Sequence, residues 1–280
     1  MQPWQFLPIH PALSQVVDTM IIMKVDDFSV IPISSQFYYP WSAQTNLFFT
    51  ISDQIVTVKD KGETVFTTYP ANFIIGPNLV ERVVQCPNQH YVLGITFRPG
   101  GLQRLCGLPL NEIINASIDA SFIFGKEINH LSEQLAEVAN QGELLNFVET
   151  FLLNKMEKIQ QLTPFDMAIA ELVRSDGNLS MDEVSRLACV SGRQFERKST
   201  ERLGMPPKLF ARLIRFSKAY MLKETSPNIT WTSIAHQCGY YDQMHLIRDF
   251  KTFSGYTPST VEQKIQNSIS AVTALKSSIS

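Results

Sequence analysis

The chain has 280 residues, 44% of them hydrophobic and 18% charged, with a net charge of -2, a composition that suits a globular protein with room for two cores. Its longest apolar runs fall far short of a membrane span, and the opening Met1-Gln2-Pro3-Trp4-Gln5 lacks the basic and apolar regions of a signal peptide, so a cytoplasmic location is expected. Four scattered cysteines, Cys86, Cys106, Cys189 and Cys238, form no C-x-x-C pair and read as reduced thiols rather than disulfides or a zinc site, with a redox pair as the alternative.

From Phe28 to Phe97 the chain is rich in β-branched and aromatic residues. Apolar and polar residues alternate in Ile55-Val56-Thr57-Val58-Lys59 and in Thr64-Val65-Phe66-Thr67-Thr68-Tyr69, with turns at Asp60-Lys61-Gly62-Glu63 and Gly76-Pro77-Asn78. Many short strands punctuated in this way predict a small sandwich or barrel. A cluster of Phe37, Tyr38, Tyr39, Trp41, Phe48, Phe49 and Arg98 could line a small-molecule pocket, Tyr38, Trp41 and Arg98 being the candidates that would touch a ligand. The competing reading makes these aromatics core and Arg98 a strand-end cap. Only His10, His90 and His130 occur in this half, with no H-x-H spacing, so no metal is expected.

Two amphipathic stripes follow the strands. Ile128, Leu131, Leu135 and Val138 form the first, and Leu144, Leu145, Val148, Leu152, Met156 and Ile159 the second, with a break near Asn140-Gln141-Gly142. Thr163-Pro164 then marks both a helix start and a domain boundary, which divides the chain into residues 1–162, 163–262 and a C-terminal tail, 263–280, expected to be loosely ordered from Ser268.

The second half carries an internal repeat. Residues 191–207 and 242–258 read as copies offset by about 51: Ser191 matches Asp242 as a helix cap, Phe195 matches Leu246 as an inward anchor, and Arg197 matches Arg248. Each copy closes on a glycine and a proline, Gly204 with Pro207 and Gly255 with Pro258. Ser180 and Glu183 have capping-box spacing before a short helix that leads into Ser191, and Thr230 caps the matching helix of the second copy. The pattern is that of two helix-turn-helix units. Arg193, Gln194, Glu196 and Arg197 fall on the outer side of the first reader helix, and Gln243, Met244, His245 and Arg248 on that of the second. Forked donors with an acceptor suit base edges. Between the units, Lys208, Arg212, Arg215 and Lys218 share one helix face. About 16 helical residues there would span roughly 24 Å, enough to hold readers near the roughly 34 Å repeat of the major groove. Lys208, Arg212, Arg215 and, beside the second reader, Lys251 are candidates for the DNA backbone; the alternative is a solvated structural helix. The charge distribution agrees with the repeat. Residues 1–162 hold 9 Lys/Arg against 15 Asp/Glu, a net of -6, whereas residues 181–262 hold 12 against 8, a net of +4.

The run Ile234-Ala235, Cys238-Gly239-Tyr240, Asp242-Gln243-Met244-His245, Arg248-Asp249-Phe250-Lys251 and Gly255-Tyr256-Thr257-Pro258-Ser259 resembles the second half of the AraC-type DNA-binding domain. Ser191, Arg197, Gly204, Pro207 and Phe210 agree with its first half, so the resemblance covers about 100 residues from Thr163. It implies a transcription regulator whose partners are double-stranded DNA and, where it activates, RNA polymerase. It also implies a cupin-like regulatory domain ahead of the reader, controlled by a small-molecule effector, and a helical segment that makes a homodimer. The stripes at 128–159 would equally arise from helices packed on their own strands. Ser199 departs from the family, which usually has a core phenylalanine there; the first unit would be either looser or packed by Phe195 and Leu209 instead. The expected fold is therefore α+β, a β-sandwich or barrel with helices followed by an all-α domain. No G-x-S-x-G, P-loop or H-E-x-x-H motif points to an enzyme, and no cofactor is expected. The rival reading is a protein-interaction or co-regulatory protein with weak DNA specificity and no effector.

Overall fold

A computed structural model describes residues 4–266 apart from 31–33, 40, 53–55, 61 and 139. The chain is α+β, with antiparallel sheets in the first half and helices alone in the second. The strands are β1 (Trp4–Leu7), β2 (Val17–Val25), β3 (Gln36–Tyr39), β4 (Asn46–Thr50), β5 (Thr57–Asp60), β6 (Thr67–Thr68), β7 (Asn72–Ile75), β8 (Arg82–Gln85) and β9 (His90–Phe97). Helix α1 (Gly101–Cys106) precedes β10 (Ser117–Asp119), and α2 (Ser121–Phe124), α3 (Glu127–Glu137) and α4 (Gln141–Met156) complete the half. One sheet runs β1-β2-β9-β4-β7-β10 and the other β3-β8-β5-β6. Two of these strands precede Phe28, where the sequence reading began. Strand β2 carries the continuous apolar run Met20-Ile21-Ile22-Met23 at its centre, and such a run lacks the alternation by which a half-buried strand is recognised.

The reason for that run is that the six-stranded sheet is buried on both faces. Met20 and Ile22, Leu47 and Phe49, Ile74, Leu93 and Ile95 point to one core, which α3 and α4 cover with Ile128, Leu131, Leu135, Leu144, Val148 and Leu152. The intervening residues face the second sheet, where Phe73, Ile75, Val58 and Val84 form a separate core. Thus the stripes of α3 and α4 pack on their own sheet. Asn140 ends the expected break by accepting a hydrogen bond from the Glu143 backbone N–H at 2.9 Å.

The second half contains α5 (Pro164–Arg174), α6 (Met181–Leu187), α7 (Gly192–Leu203), α8 (Pro207–Thr225), α9 (Trp231–Gln237), α10 (Gln243–Phe253) and α11 (Pro258–Gln266). The starts of α5, α6, α7, α9 and α10 were legible from their caps. Asp166 accepts from the Thr163 N–H at 2.8 Å, and Glu183 from that of Ser180 at 2.9 Å. Helix α11 extends beyond 262, where the tail was expected to begin; residues 267–280 lie outside the described residues. No helix among the described residues is long and apolar enough to cross a membrane.

The two halves touch. At the end of α7, Arg202 donates to Gln103 Oε1 of α1 at 2.9 Å and pairs with Asp166 at 3.1 Å, both ionic side chains being less than a tenth exposed. Trp41 from the sandwich packs against Phe216 and Tyr220 of α8, with ring centroids 5.7 and 5.8 Å apart, while Ser217 donates to its carbonyl. Removing one member of a buried ion pair strands the other without compensation. Arg202→Ala is expected to lower stability by about 3 kcal/mol, measured as a shift of the urea midpoint at constant slope.

Candidate functional site

Two helices present the outward surface that the repeat predicts. Helix α7 is fixed at its start by a reciprocal cap: the Gln194 N–H donates to Ser191 Oγ at 3.3 Å, and the Ser191 N–H donates to Gln194 Oε1 at 3.1 Å. Arg193, Gln194, Glu196 and Arg197 are all exposed, whereas Phe195 is buried against Phe165. Gln194 is therefore tied to the cap through its oxygen. Helix α10 starts at Asp242, whose carboxylate accepts from the His245 N–H at 2.7 Å. Gln243, Met244 and Arg248 are exposed, and His245 is half-buried because its ring packs edge-on against Tyr240 at 5.7 Å. The copies are not strictly equidistant. The caps Ser180 and Thr230 are 50 positions apart but Ser191 and Asp242 are 51 apart, because the second turn holds one more residue, the 93% exposed Tyr241.

Ser199 explains how the first unit does without a phenylalanine. It is fully buried and donates to the Met205 carbonyl at 2.8 Å, fastening the end of α7 to the loop before α8. Leu203 and Met205 are both nearly inaccessible in the core of this half, and Leu209 is partly buried against it.

Helix α8 joins the units over 19 residues, about 28 Å at 1.5 Å per residue. Its cations divide into two groups. Lys208 is exposed, as is Lys251 on α10. Arg212 instead pairs with Asp249 of α10 at 2.8 Å, and Arg215 donates to the Gly177 carbonyl at 2.7 Å. Lys218 pairs with Asp176. Of the cations read as DNA-backbone candidates, Arg212 and Arg215 thus also have partners within the domain, with 35% of the Arg212 side chain still exposed.

A second feature lies between the sheets, a cavity of about 110 Å³. Phe37 and Tyr39 of β3, Phe48 of β4 and Tyr69 reach it, with His90 at the start of β9. Gly94 makes room for one wall, since a Cβ there would lie 2.9 Å from the Phe48 ring. The other aromatics of the predicted cluster go elsewhere. Phe49 faces the helix-covered core because it follows Phe48 in the strand. Trp41 is seated on α8, and Arg98 donates to the Ser14 carbonyl at 2.7 Å and lies 3.5 Å from Asp18, so neither borders the cavity. The Tyr38 side chain lies outside the described residues. The sequence offers His90 only as a candidate metal ligand; its place in the cavity wall is not readable from one strand. Burial pushes its imidazole down to about 4, so the ring is neutral at pH 7. Burial also pushes the Cys86 and Cys238 thiols up, to about 12 and about 11, which leaves them poorly reactive.

Comparison with known proteins places this geometry. The family model of a helix-turn-helix domain matches residues 184–264, the span of both readers. The arabinose operon regulatory protein of Escherichia coli K12 is 24% identical over 147 residues, which cover 46% of this chain and 50% of the relative. The second half of the chain is thus similar to AraC-type regulators. It spans about half the length of the curated AraC-type relative it matches. A domain of unknown function, DUF6597, matches residues 5–119. Among solved structures, an apo variant of ToxT from Vibrio cholerae aligns with a TM-score of 0.46 at 17% identity, covering 88% of this chain and 97% of that one. ToxT bound to an unsaturated fatty acid aligns at 0.44 and 15%, covering 86% and 93%.

Two outcomes follow from this geometry. Ser199→Ala removes the tie to Met205 and leaves a buried carbonyl short of a partner, which is expected to cost about 1–2 kcal/mol in chemical denaturation; Ser199→Phe, with no space to enter, is expected to cost at least as much. His90 has a folded pKa of about 4 against 6.5 when exposed. Its contribution is fully present above pH 6.5. As the pH falls from 6.5 to 4 the unfolded chain takes up a proton that the folded one refuses, so about 3 kcal/mol is lost across that window. Urea titrations at pH 7 and pH 4 should show this increment in the wild type and not in His90→Gln.

Proposed function

We propose that this protein is a sequence-specific DNA-binding transcription regulator that inserts α7 and α10 into successive major grooves. The observation that carries the reading is the pairing itself. Two capped helices, one with exposed Arg193, Glu196 and Arg197 and the other with exposed Gln243, Met244 and Arg248 beside the half-buried His245, are both fastened to α8: α7 leads directly into its start, and α10 rests on Arg212 and Phe216. Arginine forks suit guanine, the Gln243 amide suits adenine, and Glu196 suits a cytosine amino group or rejects other bases by repulsion. Lys208 and Lys251 are the cations free to meet phosphates on either side.

The sandwich is proposed as the sensor. Tyr39 lines the inter-sheet cavity, and Trp41, two residues further along, sits on α8. A ligand that favours one position of this segment would therefore bias the seat of α8, on which the separation of the readers depends, provided it binds the DNA-competent and incompetent states unequally. Dimerisation through α3 and α4 draws no support from the stripes that suggested it, because those side chains are spent on the sheet.

The test is affinity selection of genomic fragments at near-physiological salt, followed by titration of the enriched site. A motif of two blocks about one helical turn apart is expected. Arg197→Ala and Arg248→Ala should each weaken specific binding by about 1–3 kcal/mol and relax one position of the motif. Equal losses on random DNA would make them phosphate contacts, and the absence of any enriched motif would overturn the reading.

A further inference from the structure

The chemistry of the inter-sheet cavity is narrow enough to select a ligand class. At about 110 Å³ it is of the order of the roughly 150 Å³ engineered cavity that takes up a benzene molecule, so it holds about one ring. Among the described residues no ionised side chain lines it. The nearby Arg82 is spent: its guanidinium donates to both carboxylate oxygens of Asp60 at 2.5 and 2.9 Å, to Ser117 Oγ at 3.0 Å and to the Asn115 carbonyl at 3.0 Å. An anion would enter without a counter-charge, at a large desolvation cost. The two phenols in the wall are engaged as well, Tyr39 accepting from Asn46 at 2.7 Å and Tyr69 bonded to Ser117 at 2.6 Å.

His90 differs from them. It is 4% exposed, it borders the cavity, and its Nδ1 is buried with no hydrogen-bond partner in the protein. An orphaned buried nitrogen of this kind is costly unless something else completes it. A sugar would have to surrender water from several hydroxyls and recover a single bond, whereas a ring with one polar group loses little.

We propose that the cavity binds an uncharged, monocyclic, mainly apolar molecule whose one hydroxyl or equivalent group pairs with Nδ1 of His90. Because the imidazole is neutral at pH 7, it meets a neutral group without any change of charge. Regulation of DNA binding by this ligand rests on the effector reading above; binding itself does not.

The probes are p-cresol, toluene and benzoate, titrated calorimetrically into the full chain. The expected result is p-cresol binding about tenfold more tightly than toluene, with benzoate giving no measurable heat, a tenfold ratio being the order of one satisfied hydrogen bond. His90→Leu should erase the advantage of p-cresol while leaving toluene unchanged. Val84→Phe, which fills the cavity from β8, should abolish binding of both in a protein whose far-UV spectrum is unaltered, so a folding defect in either variant is recognised. Benzoate binding as tightly as p-cresol, an advantage that survives His90→Leu, or no binding of any probe would each overturn the proposal. Fluorescence anisotropy on the selected DNA separates the two claims: p-cresol that binds through His90 yet leaves DNA affinity unchanged supports the ligand class and removes the effector reading.

Discussion

Phe216 stands where three parts of the chain meet. Its ring lies 4.8 and 5.1 Å from those of Phe250 and Phe253 on α10, and 5.7 Å from that of Trp41 of the sandwich, with only 1% of its surface exposed. Edge-on and tilted contacts between buried rings fix relative orientation as well as supplying apolar burial. Because interiors are close-packed, a shift of Trp41 cannot be absorbed locally and must appear in the seat of α8 or α10. The second reader, the spacer and the sandwich are thus held by one side chain.

Polar contacts complete the frame on the other side. Arg202 binds the end of the first reader to the start of α5 and to α1, and Arg212 binds α8 to α10 through the buried Asp249. The basic surplus of the second half therefore divides between scaffold and surface. Arg202, Arg212 and Arg215 hold helices together, while Arg193, Arg197, Arg248, Lys208 and Lys251 stay exposed. A domain can be basic in composition yet offer DNA only part of that charge, because an arginine already neutralised within the fold releases little counterion on binding.

The sandwich follows a different logic. Its larger sheet is covered by helices on one face and by the smaller sheet on the other, so the middle of β2, Met20 to Met23, is apolar on both faces. Alternation then distributes side chains between a filled core and a space left partly open by Gly94. The same sheet that anchors α3 and α4 lines the cavity.

Local chemistry is what the sequence determined by itself. The caps Thr163, Ser180, Ser191, Thr230 and Asp242 act within three residues of themselves, so their helices, the repeat and the AraC-type resemblance were readable before any tertiary contact was known. The outward positions of α7 and α10 followed from helical period alone. Contacts distant in sequence were decided only by the tertiary structure. Arg212 reads as a surface cation until Asp249 approaches from 37 residues away, and Trp41 reads as a pocket aromatic until α8 reaches it from 176 residues away. The cavity belongs to the same class, since its walls come from strands that become neighbours only when two sheets close, and no periodicity within one strand encodes what will face it.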